Sequence, residues 1–333
     1  MEAVVLVGGF GTRLRPLTAD TPKQMLPVVD RPMVEHVVDH LAAHGVTRVV
    51  LSLGFRPEAF TTAYPDGTCA GLPLHYAVEP EPLDTAGAVR FAALDAGVDG
   101  TFLVLNGDVL TDLDVSAMVG RHCASGATGT IALTEVDDPS RYGVVPFDDE
   151  RRVLGFVEKP PTDEAPSRWI NAGTYVLEPA VLDRIAPGRR VSIEREVFPS
   201  LAAEGALRAE PSTGYWLDTG TPEAYLRANL DLVDGTRAGL TAVHPSAAVD
   251  DGARVGHSVV MAGGSVRSDA EVCDAVVMGG AMVGRGSTVR ASVVGPGATI
   301  GEGASVVGGC LVGPGASVPV GTVLDGGRFP EED

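Results

Sequence analysis

Hydrophobic residues follow two different patterns along the chain, and the change falls near residue 235. Before that point, short apolar runs alternate with longer segments whose apolar residues recur at helical spacing. The pattern predicts strands at residues 3–7, 48–52, 74–77 and 102–105, and helices at residues 32–44 and 85–95. Such alternation is typical of an α/β fold, a Rossmann-like and mostly parallel sheet with helices on both faces.

After residue 235, aliphatic residues recur every six positions in groups of three, and each group starts 17 residues after the previous one. The series is Val243, Val249, Val255; Val260, Val266, Val272; Val277, Val283, Val289; Val294, Ile300, Val306; then, after Leu311, a one-residue slip to Val312 and Val318. A sixfold repeat in threes predicts a triangular β-helix, in which each hexapeptide forms one side and its aliphatic residue points inward. We expect about five coils of the left-handed hexapeptide type. The predicted domains are residues 1–236 and 242–327.

Composition narrows the classes of partner. The 333 residues carry 44 acidic against 25 basic side chains, a net charge of −19, which argues against nucleic acid or an anionic membrane as the main ligand. No apolar run approaches the ~18 residues needed to span a bilayer. The first apolar run is short and has no basic stretch before it, so it predicts a strand rather than a signal peptide. Four cysteines without C-x-x-C spacing indicate reduced thiols in a cytoplasmic protein.

The first predicted strand runs into a glycine-rich loop that also carries fixed positive charge. The loop contains Gly8, Gly9, Gly11, Thr12, Arg13 and Arg15, and Lys23 follows shortly after. Glycines let backbone N–H groups approach an anion, and arginine and lysine pair with phosphate oxygens. The spacing matches neither the Walker loop nor G-x-G-x-x-G. The loop therefore predicts a polyphosphate site of another kind.

A second polar motif, Asn106-Gly107-Asp108, follows the fourth predicted strand. Ligands of such sheets bind at the carboxyl ends of the strands, so this motif and the glycine loop are expected to face one crevice. Because a charge at the end of a buried strand has no structural use, we interpret Asp108 as a ligand of a metal ion.

The glycine loop and seven blocks that follow it in a fixed order resemble the sugar-1-phosphate nucleotidyltransferases, and among them the mannose-1-phosphate guanylyltransferase branch. The blocks are residues 79–87 (EPEPLDTAG), 105–108 (LNGD), 139–145 (PSRYGVV), 156–160 (FVEKP), 170–173 (INAG), 192–199 (SIEREVFP) and 214–220 (GYWLDTG). The resemblance implies the nucleotide-diphospho-sugar transferase type of sheet. It also implies transfer of a nucleotidyl group from a nucleoside triphosphate to a sugar-1-phosphate, with release of pyrophosphate. The substrates it favours are GTP and α-D-mannose-1-phosphate.

The resemblance also assigns roles to residues. Arg13, Lys23 and Lys159 are the implied catalytic cations, and Asp108 and Asp218 the implied Mg²⁺ ligands. The implied nucleotide-binding residues are Leu6, Gly8, Gly9, Gly11, Thr12, Arg13, Glu79, Pro82, Asp84, Thr85 and Gly107. The implied sugar-binding residues are Tyr142, Gly143, Glu158, Lys159, Asn171 and Gly173.

Base choice has a physical argument of its own. A glutamate offers only acceptors, which match the N1–H and N2–H₂ donors of guanine, whereas thymine would prefer an amide. Glu79 therefore favours guanine if it reads the base. Gln24 and Asp84 depart from the guanylyltransferase pattern, which has proline and glycine there. Asp84 could cap the helix that begins near Thr85 or reach a ribose hydroxyl.

Other functions stay open at this point. A related transferase could use dTTP, ATP or UTP with another hexose, heptose or cyclitol phosphate. An acyltransferase β-helix would have only His244 and His257 as bases, and a non-catalytic sugar-nucleotide sensor would have lost the catalytic charges that are present here. We expect a homo-oligomer, dimeric or larger, assembled through the β-helix, which would contribute no catalytic group.

Overall fold

The computed structural model of the chain describes residues 1–234 and 240–331. The chain forms two compact units, one of Met1–Gly9 with Val34–Trp216 and one of Phe10–Met33 with Leu217–Asp333. Residue 236, the expected end of the first domain, lies outside the described residues, and the predicted domain boundaries stay a prediction. No helix in the described ranges is long and apolar enough to cross a membrane.

The first unit is built on a ten-stranded mixed sheet. The strands of this unit are β1 (Glu2–Leu6), β2 (Arg48–Leu53), β3 (Thr68–Cys69), β4 (Leu72–Val78), β5 (Phe102–Asn106), β6 (Val109–Thr111), β7 (Gly129–Glu135), β8 (Gly143–Val144), β9 (Val157–Glu158), β10 (Trp169–Leu177) and β11 (Leu207–Ser212). The α-helices of the described residues are α1 (Met33–Ala43), α2 (Pro57–Ala63), α3 (Asp84–Asp95), α4 (Val115–Ser125), α5 (Phe198–Ala203) and α6 (Pro222–Val233). The four predicted strands and two predicted helices are confirmed, with ends that differ by one or two residues.

The sheet order places the two predicted polar loops side by side. The strands run β9-β8-β10-β5-β1-β2-β4-β3, and β7 joins β10 to β11. Strand β1 pairs in parallel with β2 on one side and with β5 on the other. The strands after β1 are therefore added on one side of it as far as β4, and β5 is then added on its other side. The gap between β1 and β5 is thus the topological switch point, where such sheets bind ligands. The glycine loop follows β1 and Asn106-Gly107-Asp108 follows β5.

Both faces of the central parallel strands are buried. Val4 pairs with Val50 and Val104 in register, and all three belong to the main hydrophobic core. On the opposite face Val5 and its neighbours are equally inaccessible to solvent. Near-continuous apolar strands are expected when a parallel sheet is covered on both faces. Helix α3 packs against β1, β2 and β4, and α4 packs against β7 and β10.

The second unit joins an N-terminal segment to α6. The short strands Pro27–Val28 and Arg31–Pro32 form a hairpin, and a buried asparagine ties it to the helix. Asn229 Oδ1 accepts the Val29 N–H at 2.7 Å, and the Tyr225 hydroxyl donates to the Pro27 carbonyl. The hydroxyl of Thr221 caps α6 by accepting the Ala224 N–H at 3.2 Å.

The rest of this unit is the predicted β-helix of the left-handed hexapeptide type, with three parallel sheets of five strands each. The first sheet contains Ala248–Val249, Ser265–Val266, Met282–Val283, Thr299–Ile300 and Ser317–Val318. The second contains Arg254–Gly256, Glu271–Cys273, Thr288–Arg290, Ser305–Val307 and Val323–Asp325. The third contains Val259–Val260, Val276–Val277, Val293–Val294, Leu311–Val312 and Arg328–Phe329. From Val260 to Val318, every aliphatic residue of the predicted inward series is buried.

The predicted slip has a visible cause at one corner of the β-helix. In the first three coils a single residue with positive φ turns this corner, His257, Asp274 or Ala291. The next coil uses two glycines instead, Gly308 and Gly309, with φ of 69° and 82°. The additional residue moves the inward position from 311 to 312, and Val312 pairs with Val294.

Candidate active site

The glycine loop adopts the backbone conformation that its glycines permit. Gly9 and Gly11 have φ of 96° and 58°, values that residues with a Cβ rarely adopt. The Thr18 hydroxyl donates to the Gly11 carbonyl at 2.7 Å. A Cβ on Gly11 would lie 3.3 Å from Cβ of Lys23, so the base of this lysine side chain lies beside the loop. Thr12 and Arg13 follow in a 3-10 turn, Thr12–Leu14, and both are exposed.

Arg13 and Asp218 meet around Gly220. A Cβ on Gly220 would lie 2.7 Å from Arg13 Nη2 and 2.9 Å from Asp218 Oδ1. The Gly220 N–H also donates to Asp218 Oδ1 at 2.8 Å, which fixes the carboxylate. The second unit therefore holds the predicted phosphate cation, Arg13, close to the predicted metal ligand, Asp218.

The β-helix supports the segment that follows the glycine loop. Arg328 Nη2, in the last coil, donates to the Arg13 carbonyl at 2.8 Å. A Cβ on Gly295 would lie 3.0 Å from Leu17 Cδ2, and one on Gly313 would lie 2.9 Å from Pro16 Cγ. A side chain at either glycine would collide with Pro16 or Leu17. Two successive coils of the β-helix therefore form the surface on which these two residues pack. The β-helix is thus part of the scaffold of the loop, which the sequence did not predict.

In the first unit, Glu79 lies beside the start of the glycine loop. It follows β4, and its Oε1 is 4.0 Å from the position of a Cβ on Gly8. The Ser52 hydroxyl donates to Glu79 Oε1 at 3.2 Å, and the Leu83 N–H donates to Oε2 at 3.1 Å. Burial raises the pKa of Glu79 above its usual value, and these two hydrogen bonds act in the opposite direction.

Gly107, the residue before Asp108, lies directly against the end of β1. The Gly107 N–H donates to the Leu6 carbonyl at 2.9 Å, and a Cβ on Gly107 would lie 2.7 Å from Val7 Cγ1. Only glycine fits this approach. Asp108 is 9% exposed. Asn106 lies close to Gly173, one of the predicted sugar-binding residues, since a Cβ on Gly173 would lie 2.6 Å from Asn106 Nδ2.

The motif of residues 83–87 packs against the motif of residues 192–199. The Thr85 hydroxyl donates to Glu194 Oε2 at 2.8 Å and accepts the Ile193 N–H at 2.8 Å. A Cβ on Gly87 would lie 2.9 Å from the Arg189 carbonyl, which explains the glycine. Asp84 opens α3 with φ of 62°, and its Oδ1 accepts the Thr85 N–H at 2.8 Å. Asp84 and Pro82 are exposed.

The predicted sugar residues gather around β8, β9 and β10. A Cβ on Gly143 would collide with the Phe156 ring and would lie 3.1 Å from Glu158 Oε2. Lys159 has φ of 49°, a costly conformation for lysine that is typical of functional sites. Its N–H donates to the Tyr142 carbonyl at 3.0 Å, and its Nζ lies 3.0 Å from Glu158 Oε1.

Asn171 is held by a buried tyrosine that sequence analysis missed. Asn171 Nδ2 donates to the Tyr175 hydroxyl at 2.9 Å, and its Oδ1 accepts the Gly173 N–H at 2.9 Å. Burial raises the pKa of Tyr175. Tyr142 and Trp216 form an edge-to-face pair with ring centroids 5.7 Å apart, and Trp216 Nε1 donates to the Ala172 carbonyl. The signal for Tyr175 was its place on the same strand, four residues after Asn171.

Two further observations concern metal binding and base choice. Within residues 1–234 and 240–331, no group of three or more His, Cys, Asp or Glu side chains is placed to hold a metal ion. Gln24, the first departure from the guanylyltransferase pattern, is only 1% exposed.

Comparison with known proteins decides the family. The family model described as "Nucleotidyl transferase" matches residues 2–235, and the one described as "GMPPB C-terminal domain" matches residues 238–328. The chain belongs to the nucleotidyl transferase family. A mannose-1-phosphate guanylyltransferase of Mycobacterium tuberculosis (strain ATCC 25618 / H37Rv) is 42% identical to this nucleotidyl transferase over 75% of the chain and 71% of its own length. One of Schizosaccharomyces pombe (strain 972 / ATCC 24843) is 44% identical over 68% of the chain, yet the chain spans only 62% of that protein.

Solved structures support the same family. HddC from Yersinia pseudotuberculosis, in a complex with GMP-PN, has a TM-score of 0.60 and 29% identity, and the match covers 69% of this chain and 99% of HddC. A putative glucose-1-phosphate thymidylyltransferase from Bacillus anthracis has a TM-score of 0.65 and 26% identity over 72% of this nucleotidyl transferase and 98% of its own chain.

Proposed function

We propose that this nucleotidyl transferase joins GTP and α-D-mannose-1-phosphate to give GDP-mannose and pyrophosphate. The names of its relatives support the reaction and both substrates. The observation that carries the choice of nucleotide is Glu79, a carboxylate fixed beside Gly8 at the switch point of the sheet. Its acceptors match the two donor groups of guanine and not the donor–acceptor pattern of thymine.

Positioning and charge neutralisation account for most of the catalysis. An oxygen of the sugar phosphate attacks the α-phosphorus of GTP in line, and the bond to the β-phosphate oxygen breaks as pyrophosphate leaves. Arg13 and Lys23 neutralise the β- and γ-phosphates and the charge that develops on pyrophosphate. Their support is the close placement of Lys23 beside Gly11 and of Arg13 beside Gly220.

We assign Asp108 and Asp218 as the protein ligands of Mg²⁺. Two carboxylates are the donor set that Mg²⁺ takes when substrate phosphates and water complete its shell, and no cluster of three protein ligands is needed. The Gly220 N–H fixes Asp218, and Gly107 allows Asp108 to follow a buried strand. Asp108 and Asp218 would hold the Mg²⁺, which would supply positive charge to offset that of the phosphates where the sugar phosphate attacks.

The sugar phosphate is assigned to Lys159 and its neighbours. The ammonium group of Lys159 pairs with the phosphate, and Glu158 orients it by an ion pair in the absence of substrate. Glu158 and Asn171 hydrogen-bond sugar hydroxyls, while Gly143 and Gly173 let the ring approach the backbone, and Tyr142 borders the ring. Leu6, Gly9, Thr12, Pro82, Asp84 and Thr85 complete the proposed nucleotide site.

We further propose a homo-oligomer, a dimer or larger, that assembles through the β-helix and works in the cytoplasm. Support comes from aliphatic residues that are exposed near the two ends of the β-helix. Val320 and Val323 near the last coil are 74% and 71% exposed, and Val249 near the first is 42% exposed.

Product analysis tests the reaction. We expect GDP-mannose and pyrophosphate in equal amounts from GTP, mannose-1-phosphate and Mg²⁺, and neither when EDTA replaces Mg²⁺. A protein that binds both substrates and yields no product with Mg²⁺ would contradict the proposal and favour a sensor.

A further inference from the structure

A single hydroxyl interrupts the apolar strand β2, and nothing in the motifs accounts for it. The strand reads Val49, Val50, Leu51, Ser52, Leu53, and Ser52 is completely buried. Its carbonyl accepts the Val7 N–H at 3.1 Å, immediately before Gly8, and its hydroxyl donates to Glu79 Oε1. Ser52 therefore links the start of the glycine loop to the proposed base reader.

We propose that Ser52 is a positioning residue for guanine recognition, which it serves by fixing the carboxylate plane of Glu79; this inference rests on the proposed function. The Ser52 hydroxyl holds Oε1, and the Leu83 N–H holds Oε2 at the other side. Each carboxylate oxygen accepts about two hydrogen bonds, so each keeps one acceptor position for the base. With Oε1 and Oε2 both anchored, the remaining acceptor position of each oxygen can receive one donor of guanine, N1–H or N2–H₂.

The backbone around Glu79 makes this orientation specific. The Glu79 N–H donates to the Leu53 carbonyl at 2.8 Å, so the main chain is fixed to the residue after Ser52. Only the side-chain torsions remain, and the two hydrogen bonds restrict them. Loss of the Ser52 hydroxyl would leave Oε1 without this anchor, and the carboxylate could rotate away from bidentate contact with guanine.

The test compares GTP with ITP, which lacks the 2-amino group of guanine and so loses one of the two contacts. We expect the wild-type protein to favour GTP by about tenfold or more in kcat/KM, the effect of one hydrogen bond to a charged group. Ser52→Ala should raise KM for GTP with little change in kcat, and the GTP to ITP ratio should fall at least about threefold. Ser52→Thr retains the hydroxyl and should restore the ratio to within about twofold.

A matched control separates positioning from stability. Ser292 in the β-helix is also buried and hydrogen-bonded, since its hydroxyl donates to the Arg290 carbonyl and accepts the Cys310 N–H. Ser292→Ala should lower the melting temperature and leave the GTP to ITP ratio unchanged. If Ser52→Ala does not fold, Ser52→Cys places a slightly larger thiol with a weaker donor at the same position, and its GTP to ITP ratio should lie below that of the wild-type protein.

Three results distinguish the possible failures. Ser52→Ala or Ser52→Cys with the wild-type ratio, while Glu79→Gln loses it, would overturn the role of Ser52 alone. An unchanged ratio in Glu79→Gln would remove Glu79 as the base reader, and with it the role of Ser52. Better turnover by the wild-type protein with dTTP or ATP than with GTP would contradict the proposed function itself.

Discussion

Gly220 offers the sharpest test of the cluster formed by Arg13 and Asp218. In Gly220→Ala the new methyl group would lie 2.7 Å from Arg13 Nη2 and 2.9 Å from Asp218 Oδ1. An ordinary contact is about 3.5 Å, so the two groups must retreat by about 0.8 and 0.6 Å. Both are ends of side chains and can move, and Gly220 does not have a positive φ. The fold should therefore tolerate alanine, while the site should not.

Misplacement of about 1 Å can cost about a hundredfold in rate, or about 2.7 kcal/mol of transition-state stabilisation. We expect that loss in kcat/KM, measured by pyrophosphate release, with a melting temperature close to that of the wild-type protein. The matched control is Gly214→Ala in the same motif, where the nearest atom, Ser212 Oγ, lies at 3.5 Å. Gly220→Ala with a kcat/KM within twofold of wild type would refute the reasoning.

Three further predictions follow from the site and the β-helix. Asp108→Asn should reduce turnover by at least about a hundredfold and leave the fold intact, and near-normal activity at saturating Mg²⁺ would remove Asp108 from the site. Lys159→Ala should impair use of the sugar phosphate when each substrate is varied in steady-state kinetics; an effect confined to the nucleotide KM would contradict the assignment. Truncation after residue 239 should reduce the number of subunits per particle, measured by light scattering. It should also lower the melting temperature and raise the KM for GTP, because Pro16 and Leu17 lose their contacts with Gly295 and Gly313. A truncated protein with the same number of subunits as the full chain would exclude the assembly role of the β-helix.

From Val260 to Val318 the β-helix was predictable almost to the residue because its periodicity is local, whereas Val243 and Val249, also predicted to face inward, are exposed. Each inward aliphatic must recur after six positions to stay in the core, so the sequence carries the phase directly. Even the slip was visible, since Val312 replaces Leu311 as the inward residue. The sequence did not predict which corner holds the additional residue, because Gly308 and Gly309 look like any other glycines of this region.

The parallel strands of the sheet were also predictable, whereas their partners beyond β5 were not. Alternation of strands and helices indicates parallel neighbours, and the switch point then follows. The antiparallel pairing of β10 with β5 and β7 joins segments far apart in sequence, and no local pattern encodes it. The contact between Thr85 and Glu194 is hidden for the same reason.

Within the candidate site, the motifs identified charged and glycine residues but not the groups that hold them. Ser52 left a signal, a polar residue within a buried apolar run, but its partner Glu79 lies 27 residues away. Tyr175 lies in an apolar strand like any core aromatic, and only the structure shows that its hydroxyl accepts a hydrogen bond from Asn171 Nδ2. Arg328 gave no signal, because an arginine in a terminal coil is ordinarily a solvated charge.

The most direct test of the central claim is pyrophosphate release by the wild-type protein across a grid of nucleoside triphosphates and sugar-1-phosphates. The grid contains GTP, dTTP, ATP and UTP against mannose-, glucose- and heptose-1-phosphate, with Mg²⁺ throughout. We expect the highest kcat/KM for GTP with mannose-1-phosphate. Turnover at least tenfold better with dTTP or ATP on the same sugar phosphate would contradict it.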